Sequence, residues 1–188
     1  MLRMFTALIW LTSNPDASAL RDAGRSESPT SNVRCVSGPQ CRAIGEQFCS
    51  YKNEHRDERT GAQYFQLGCD MNDVGSCVSL ATMLFGGTSP NDELKAFQLY
   101  QRACTLNDLY SCGVVAQIFE RGSRQPGIVP RDLPRAAQIY QQACEGGDAC
   151  SCINLADLYS HGRGVKKDKR RAKELTERGR RNGCDTRE

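Results

Sequence analysis

Eleven cysteines in 188 residues could supply three kinds of chemistry: disulfide crosslinks, metal ligation, or thiol redox and nucleophilic reactions. Six of them lie in three near-identical stretches, CDMNDVGSC, CTLNDLYSC and CEGGDACSC. These place Cys69 with Cys77, Cys104 with Cys112, and Cys144 with Cys152. Each stretch has Asp at its fifth position and Ser before the closing Cys. Along one straight helix, such a pair would sit roughly 12 Å apart. A disulfide spans only about 4.4–6.8 Å between Cα atoms. The centres MND, LND and GGD are turn-forming clusters. A helix ending at the first Cys and another starting near the second would run antiparallel, with ends close enough to bond. On this reading Ser76, Ser111 and Ser151 are N-caps of the second helices.

Metal chemistry has little to draw on. Zinc sites favour C-x2–4-C pairs, and the one short pair is Cys150 with Cys152. The two histidines, His55 and His161, stand at unrelated places, so neither a metal nor another cofactor is expected. A cysteine nucleophile needs a low thiolate pKa and a base. Helix N-termini could supply the first at Cys77, Cys112 or Cys152, but those cysteines are expected to be bonded. Serine hydrolysis needs an activated Ser, as in S-x-x-K. The residues three before each lysine are Cys49, Asp92, Arg163, Gly164, Lys166 and Arg170, and none is Ser. S-D-N, K-T-G and G-x-S-x-G are absent too, so no catalytic residues are assigned.

The elements that must position the cysteines are helices. Upstream, ELKAFQLYQRAC and LPRAAQIYQQAC carry Ala96, Leu99, Tyr100 and Ala103, then Ala136, Ile139, Tyr140 and Ala143, at helical spacing. Downstream, SCVSLATMLFGG, SCGVVAQIFERG and SCINLADLYSHG repeat that pattern and stop at Gly. Cys69 to Cys104 is 35 residues and Cys104 to Cys144 is 40, the excess lying in RGSRQPGIVPRDLP. Two helices per unit at such a period indicate a solenoid. Asp57, Asp92, Asp132 and Asp168 recur in phase, four residues before Gly61, Ala96, Ala136 and Ala172. They fit N-caps or first-turn residues. The last unit has Arg180 at the first-Cys register, and Cys41 holds the closing-Cys register of the first, so both terminal units are degenerate.

The predicted fold is an all-α, right-handed αα-hairpin solenoid stapled by disulfides. Counted from each closing Cys, the first helix of each unit builds a concave face, where Ser79, Gln117, Asn154 and Asp157 are the candidate binding residues. Tyr100, Tyr140, Tyr159, Phe85 and Phe119 read as interhelical packing. Of the remaining cysteines, Cys150 and Cys184 fall in turns at one end of adjacent units and are expected to pair. Cys35 can close on Cys41, or Cys41 can pair with Cys49. The odd count leaves at least one thiol over, with Cys49 the choice.

Disulfides require an oxidising compartment. MLRMFTALIWLTSNPDASAL has a positive n-region at Arg3, an apolar core MFTALIWL and a small-residue cleavage site at Ala17–Ala19. Residues 1–19 therefore read as a signal peptide cleaved after Ala19, 20–34 as a flexible leader, and 35–188 as a solenoid of about four units. The apolar core is too short to span a membrane. The formal net charge of +3 is mild, and VKKDKRRAKELTERGRRNG collects the basic residues. No aromatic residues interleave there, so nucleic acid is not an expected partner.

KAFQLYQRAC-x3-D-x2-SC and RAAQIYQQACEGGD-x2-SC-x-NLADLY-x2-G-x-GV-x-KD resemble the Sel-1-like repeat, a relative of the tetratricopeptide repeat, over about residues 41–184. The seven-residue interval between paired cysteines is similar to the secreted cysteine-rich Hcp family. The resemblance implies a secreted or periplasmic scaffold for a protein or peptide partner. Through that family it also implies, as an alternative, a β-lactamase or penicillin-binding hydrolase, with a β-lactam or peptidoglycan-derived ligand. A cysteine-rich assembly factor of the mitochondrial intermembrane space shares the repeat and supplies a second alternative.

Overall fold

The computed structural model describes residues 34–50, 56–85 and 89–184. The expected signal peptide, most of the leader, and His55 lie outside them. Among the described residues eight helices follow one another: α1 (Gly38–Cys49), α2 (Glu58–Asp70), α3 (Val74–Phe85), α4 (Pro90–Thr105), α5 (Leu109–Arg121), α6 (Leu133–Gly146), α7 (Ala149–His161) and α8 (Lys169–Arg181). Successive helices pack as antiparallel neighbours, the arrangement of an all-α repeat solenoid. The core runs along the stack, through Phe65, Leu80, Phe97, Tyr100, Val115, Phe119, Tyr140, Leu155, Leu158 and Leu175.

The in-phase aspartates begin helices. Asp57, Asp132 and Asp168 are the N-caps of α2, α6 and α8. Asp92 lies in the first turn of α4, which Ser89 caps. The Asp57 carboxyl is held below the ordinary range because it accepts hydrogen bonds from the Thr60 hydroxyl and the backbone N–H groups of Thr60 and Arg59.

The cysteine stretches turn more tightly than the serine-cap reading expects. α2 runs past Cys69 to Asp70, α4 past Cys104 to Thr105, and α6 past Cys144 to Gly146. Asn72, Asn107 and Gly147 then adopt positive φ of 62°, 67° and 112°. The next residue, Asp, donates its N–H back across the turn: Asp73 to Gly68 O, Asp108 to Ala103 O and Asp148 to Ala143 O, each near 2.9–3.0 Å. With the bonds of smaller residue span from the N–H groups of Asn72, Asn107 and Gly147 to the carbonyls of Cys69, Cys104 and Cys144, this is a Schellman ending. The same Asp starts the next helix. Its carboxylate accepts the N–H of Ser76, Ser111 or Ser151 at 2.7–2.9 Å.

The three serines are therefore not N-caps. Asp73, Asp108 and Asp148 take that role, and each serine stands three residues later, at 0%, 0% and 1% exposure. The physical reason is the length of the turn. Only two residues separate the helical Asp70 or Thr105 from the capping Asp, so the carboxylate reaches the orphan amides first. Ser76 Oγ donates to Asp73, whereas Ser111 Oγ and Ser151 Oγ are buried without a hydrogen-bond partner.

Each unit also reaches back to the one before. Arg102 on α4 donates to the Asp70 carbonyl and the Asn72 side chain at the end of α2, and Arg178 on α8 donates to the Glu145 carbonyl of α6. A cation at a helix C-terminus faces the negative end of the peptide dipoles. The long loop before α6 folds back as well. Glu93, 4% exposed, accepts the backbone N–H groups of Arg124 and Gln125. At the other end, α1 and α2 meet backbone to backbone. A Cβ on Gly45 would lie 3.1 Å from Gly61 O, one on Gly61 3.1 Å from Gly45 O, and Gly38 and Gly68 face each other in the same way.

Candidate functional site

The candidate face is assembled by register. Aligning α3, α5 and α7 on Cys77, Cys112 and Cys152 puts Ser79, Val114 and Asn154 at one position, and Thr82, Gln117 and Asp157 three residues on. Residues spaced by three and four share a helix face. The four candidates Ser79, Gln117, Asn154 and Asp157 thus fall on two neighbouring positions of three helices, and all are half-buried. The face extends four residues towards the hinges, to Gly75, Tyr110 and Cys150. Tyr110 is 64% exposed, a large aromatic left open beside a polar row. It was not singled out from sequence, though its place four residues before Val114 and seven before Gln117 is the signal that identifies it.

Asp157 is the candidate most engaged by its neighbours. Arg163 pairs with it and, at 3.1 Å, with Glu120 on α5. Glu120 also accepts the Tyr140 hydroxyl at 2.9 Å. Tyr140 is fully buried, and its hydroxyl is pushed far above its ordinary pKa by burial first and by the Glu120 charge second. A chain Tyr140–Glu120–Arg163–Asp157 therefore links α6, α5 and α7 beneath one edge of the face. On the neighbouring unit, Thr82 Oγ lies 3.1 Å from the Tyr100 hydroxyl, which burial also shifts upward. Phe97–Phe119 and Phe85–Tyr100 meet edge to face in the layer below.

His161 stands at the end of α7. Its Nδ1 lies 2.8 Å from Ser160 Oγ, 2.9 Å from Asp157 Oδ1 and 3.0 Å from the Asp157 carbonyl. A serine–histidine–acid relay requires the hydroxyl and the acid on opposite ring nitrogens. Here both use the same nitrogen, so the group caps a helix end and does not move a proton between partners. Among the described residues, no set of three or more His, Cys, Asp or Glu side chains could hold a metal ion.

The structure bonds Cys69 to Cys77, Cys104 to Cys112 and Cys144 to Cys152, with Cα separations of 4.6–4.7 Å. Cys35 is bonded to Cys41 and Cys150 to Cys184. Cys49 is a free thiol at the end of α1. Burial, then the Glu58 carboxylate, push its pKa up, which keeps it protonated and sluggish as a nucleophile.

The repeat boundaries coincide with this geometry. The Sel1 repeat profile matches residues 55–73, 75–108, 110–148 and 151–184. The chain belongs to the Sel1 repeat family. Its repeats close on Asp73, Asp108, Asp148 and Cys184, the residue that completes each Schellman turn. Among solved structures, a protective antigen of uropathogenic Escherichia coli with an SLR fold superposes with a TM-score of 0.69 at 22% identity, covering 78% of this chain and 31% of that one. A Sel1 repeat protein from Oxalobacter formigenes gives 0.67 at 23% identity, covering 78% and 59%. Helicobacter pylori cysteine rich protein B gives 0.54 at 28% identity, covering 72% and 96%. The chain spans about a third and about three fifths of the first two structures, and with them it shares the fold alone. No curated protein sequence matches it.

Proposed function

We propose that this Sel1 repeat chain is an extracytoplasmic scaffold whose α3–α5–α7 face binds a protein or peptide partner, without catalysis of its own. The observation that carries the reading is the polar row of half-buried Ser79, Gln117, Asn154 and Asp157 and exposed Thr82, with exposed Tyr110 beside it. Such a row offers hydrogen-bond donors and acceptors to an extended main chain, and an open aromatic supplies an anchor. The helices beneath are rigid, being pinned by buried disulfides, which lowers the entropic cost of binding. Five disulfides fit an oxidising compartment, and among the described residues no helix is long and apolar enough to cross a membrane. Export through the 1–19 segment, with cleavage after Ala19, is part of the proposal.

The test is affinity capture with oxidised protein starting at residue 20, followed by crosslinking and mass mapping. Cross-links should fall on α3, α5 and α7. Tyr110→Ala combined with Asn154→Ala should weaken capture by about tenfold or more. Capture untouched by these changes, or turnover of a chromogenic cephalosporin, would overturn the reading.

A further inference from the structure

Five bonds staple this chain, and they differ in what solvent can reach. Cys69, Cys77, Cys112, Cys144 and Cys152 are buried, and Cys104 is half-buried. In the bond at the other end of the fold, Cys41 is buried and Cys35 half-buried. Among the described residues, Cys150 is the one bonded cysteine that is exposed, while its partner Cys184 is 8% exposed. We propose that the Cys150–Cys184 bond is a thiol–disulfide exchange site, open to a solvent-borne dithiol, in a protein whose other bonds are less open to it.

The step balances as follows. A thiolate of the dithiol attacks Sγ of Cys150, the more exposed residue of the pair. The S–S bond breaks, and its electron pair leaves on Cys184 Sγ, which takes a proton from water. The dithiol's second thiol loses its proton and attacks the mixed disulfide from its own side, expelling Cys150 as a thiolate that is then protonated. Two electrons and two protons pass to the protein, and the reductant leaves as a disulfide.

Two further differences set this bond apart. The first is reclosure. In a hinge, the Schellman turn and the capping Asp hold the two cysteines together whether or not the sulfurs are joined, so a broken bond meets its partner again at high effective concentration. Cys150 and Cys184 are separated by 34 residues, and no shared turn holds them together. The second is location. Cys150 stands four residues before Asn154 and seven before Asp157, at the hinge end of the α7 row. Exchange there would remove the covalent tie between the end of α8 and α7, leaving the packing of Gly179 against Ala149 and Ile153. The chemistry stands on exposure and connectivity, independently of whether that row binds a partner.

The experiment treats the intact oxidised chain with limiting dithiothreitol under native conditions, quenches with an alkylating reagent, and maps labelled cysteines by mass, with Cys49 recognised by its own peptide. Cys150 and Cys184 should be labelled together, at a rate at least about tenfold above that of the six hinge cysteines and of Cys35 and Cys41. A Cys184→Ser variant should form a mixed disulfide with oxidised glutathione at Cys150 while the hinge pairs stay intact. Earlier or equal labelling of any other pair overturns the proposal, as does a Cys150 thiol in that variant that refuses oxidised glutathione.

Discussion

The turn after α4 and the turn after α8 share a backbone and differ in the residue that completes it. Asn107 and Gly183 both hold positive φ, 67° and 93°. Asp108 N–H donates to Ala103 O at 3.0 Å, and Cys184 N–H to Gly179 O at 3.1 Å. After α4 the completing residue is Asp, which goes on to cap α5; after α8 it is Cys, bonded sideways to Cys150. The helix itself changes along one stripe. Phe97, Tyr100 and Cys104 of α4, the first two of them buried, become Lys173, Thr176 and Arg180 in α8, where Lys173 and Arg180 are exposed. Two charged side chains on that stripe suit a face left to solvent, not one covered by another helix pair. The comparison separates two jobs. The turn is made by backbone hydrogen bonds and a left-handed residue, and the disulfide is an addition whose reach depends on what the completing side chain is.

The largest expected effect tests the sideways bond. Cys150→Ala with Cys184→Ala opens a closure of 34 residues, and the chain-entropy account assigns it about 4 kcal/mol of stability. Denaturant unfolding of the oxidised protein measures it. The same double change at Cys104 and Cys112 opens a closure of eight, for about 2–3 kcal/mol. That variant should keep the antiparallel α4–α5 pair, seen as continued hydrogen-exchange protection at the Asn107 and Asp108 amides. If protection there vanishes, the disulfide and not the backbone makes the turn, and the distinction between the two ends collapses.

A smaller effect isolates the completing residue. Asp148→Ala removes the acceptor of the Ser151 N–H and should cost about 1 kcal/mol, whereas Asp148→Ser should recover most of it. No comparable loss is expected from substituting Ser151 by Ala, because its hydroxyl makes no hydrogen bond. Thermal unfolding of the three variants ranks them. Equal losses for Asp148→Ala and Ser151→Ala would restore the serine-cap reading.

How far the sequence carried this picture follows from which signals are periodic. The eight-residue cysteine interval, the phase of Asp57, Asp92, Asp132 and Asp168, and the apolar spacing in α4 and α6 all recur, so the helices and the solenoid could be read. Ser76, Ser111 and Ser151 yield the cap to the preceding Asp because Asp and Ser are both good caps, and the choice depends on a turn length that composition does not show. The ties from Arg102 to Asp70 and Asn72, and from Arg178 to Glu145, join residues 30 or more positions apart. The Tyr140–Glu120–Arg163–Asp157 chain occurs once, with no repeat to announce it. Gly38, Gly45, Gly61 and Gly68 matter only because they meet in reciprocal pairs when α1 crosses α2.

The smallest expected effect asks whether the left-handed residue is chosen for the turn or merely tolerated by it. The position is Asn at 72 and 107 and Gly at 147 and 183. Gly enters positive φ without steric cost, but it loses more freedom on folding. Asn meets some resistance there, less than other side chains do, and begins from a narrower unfolded ensemble. The two terms oppose each other, so Asn107→Gly should change stability by no more than about 0.5 kcal/mol. Asn107→Val has neither advantage. A β-branched side chain at φ 67° should cost at least about 1–2 kcal/mol. Measured with the Cys104–Cys112 bond intact, the valine penalty shows how strongly the backbone turn is required when a disulfide already holds the helices. A valine variant as stable as the parent would mean that the staple alone suffices there. The left-handed residue would then matter chiefly at helix ends without such a staple, as at Gly183 after α8.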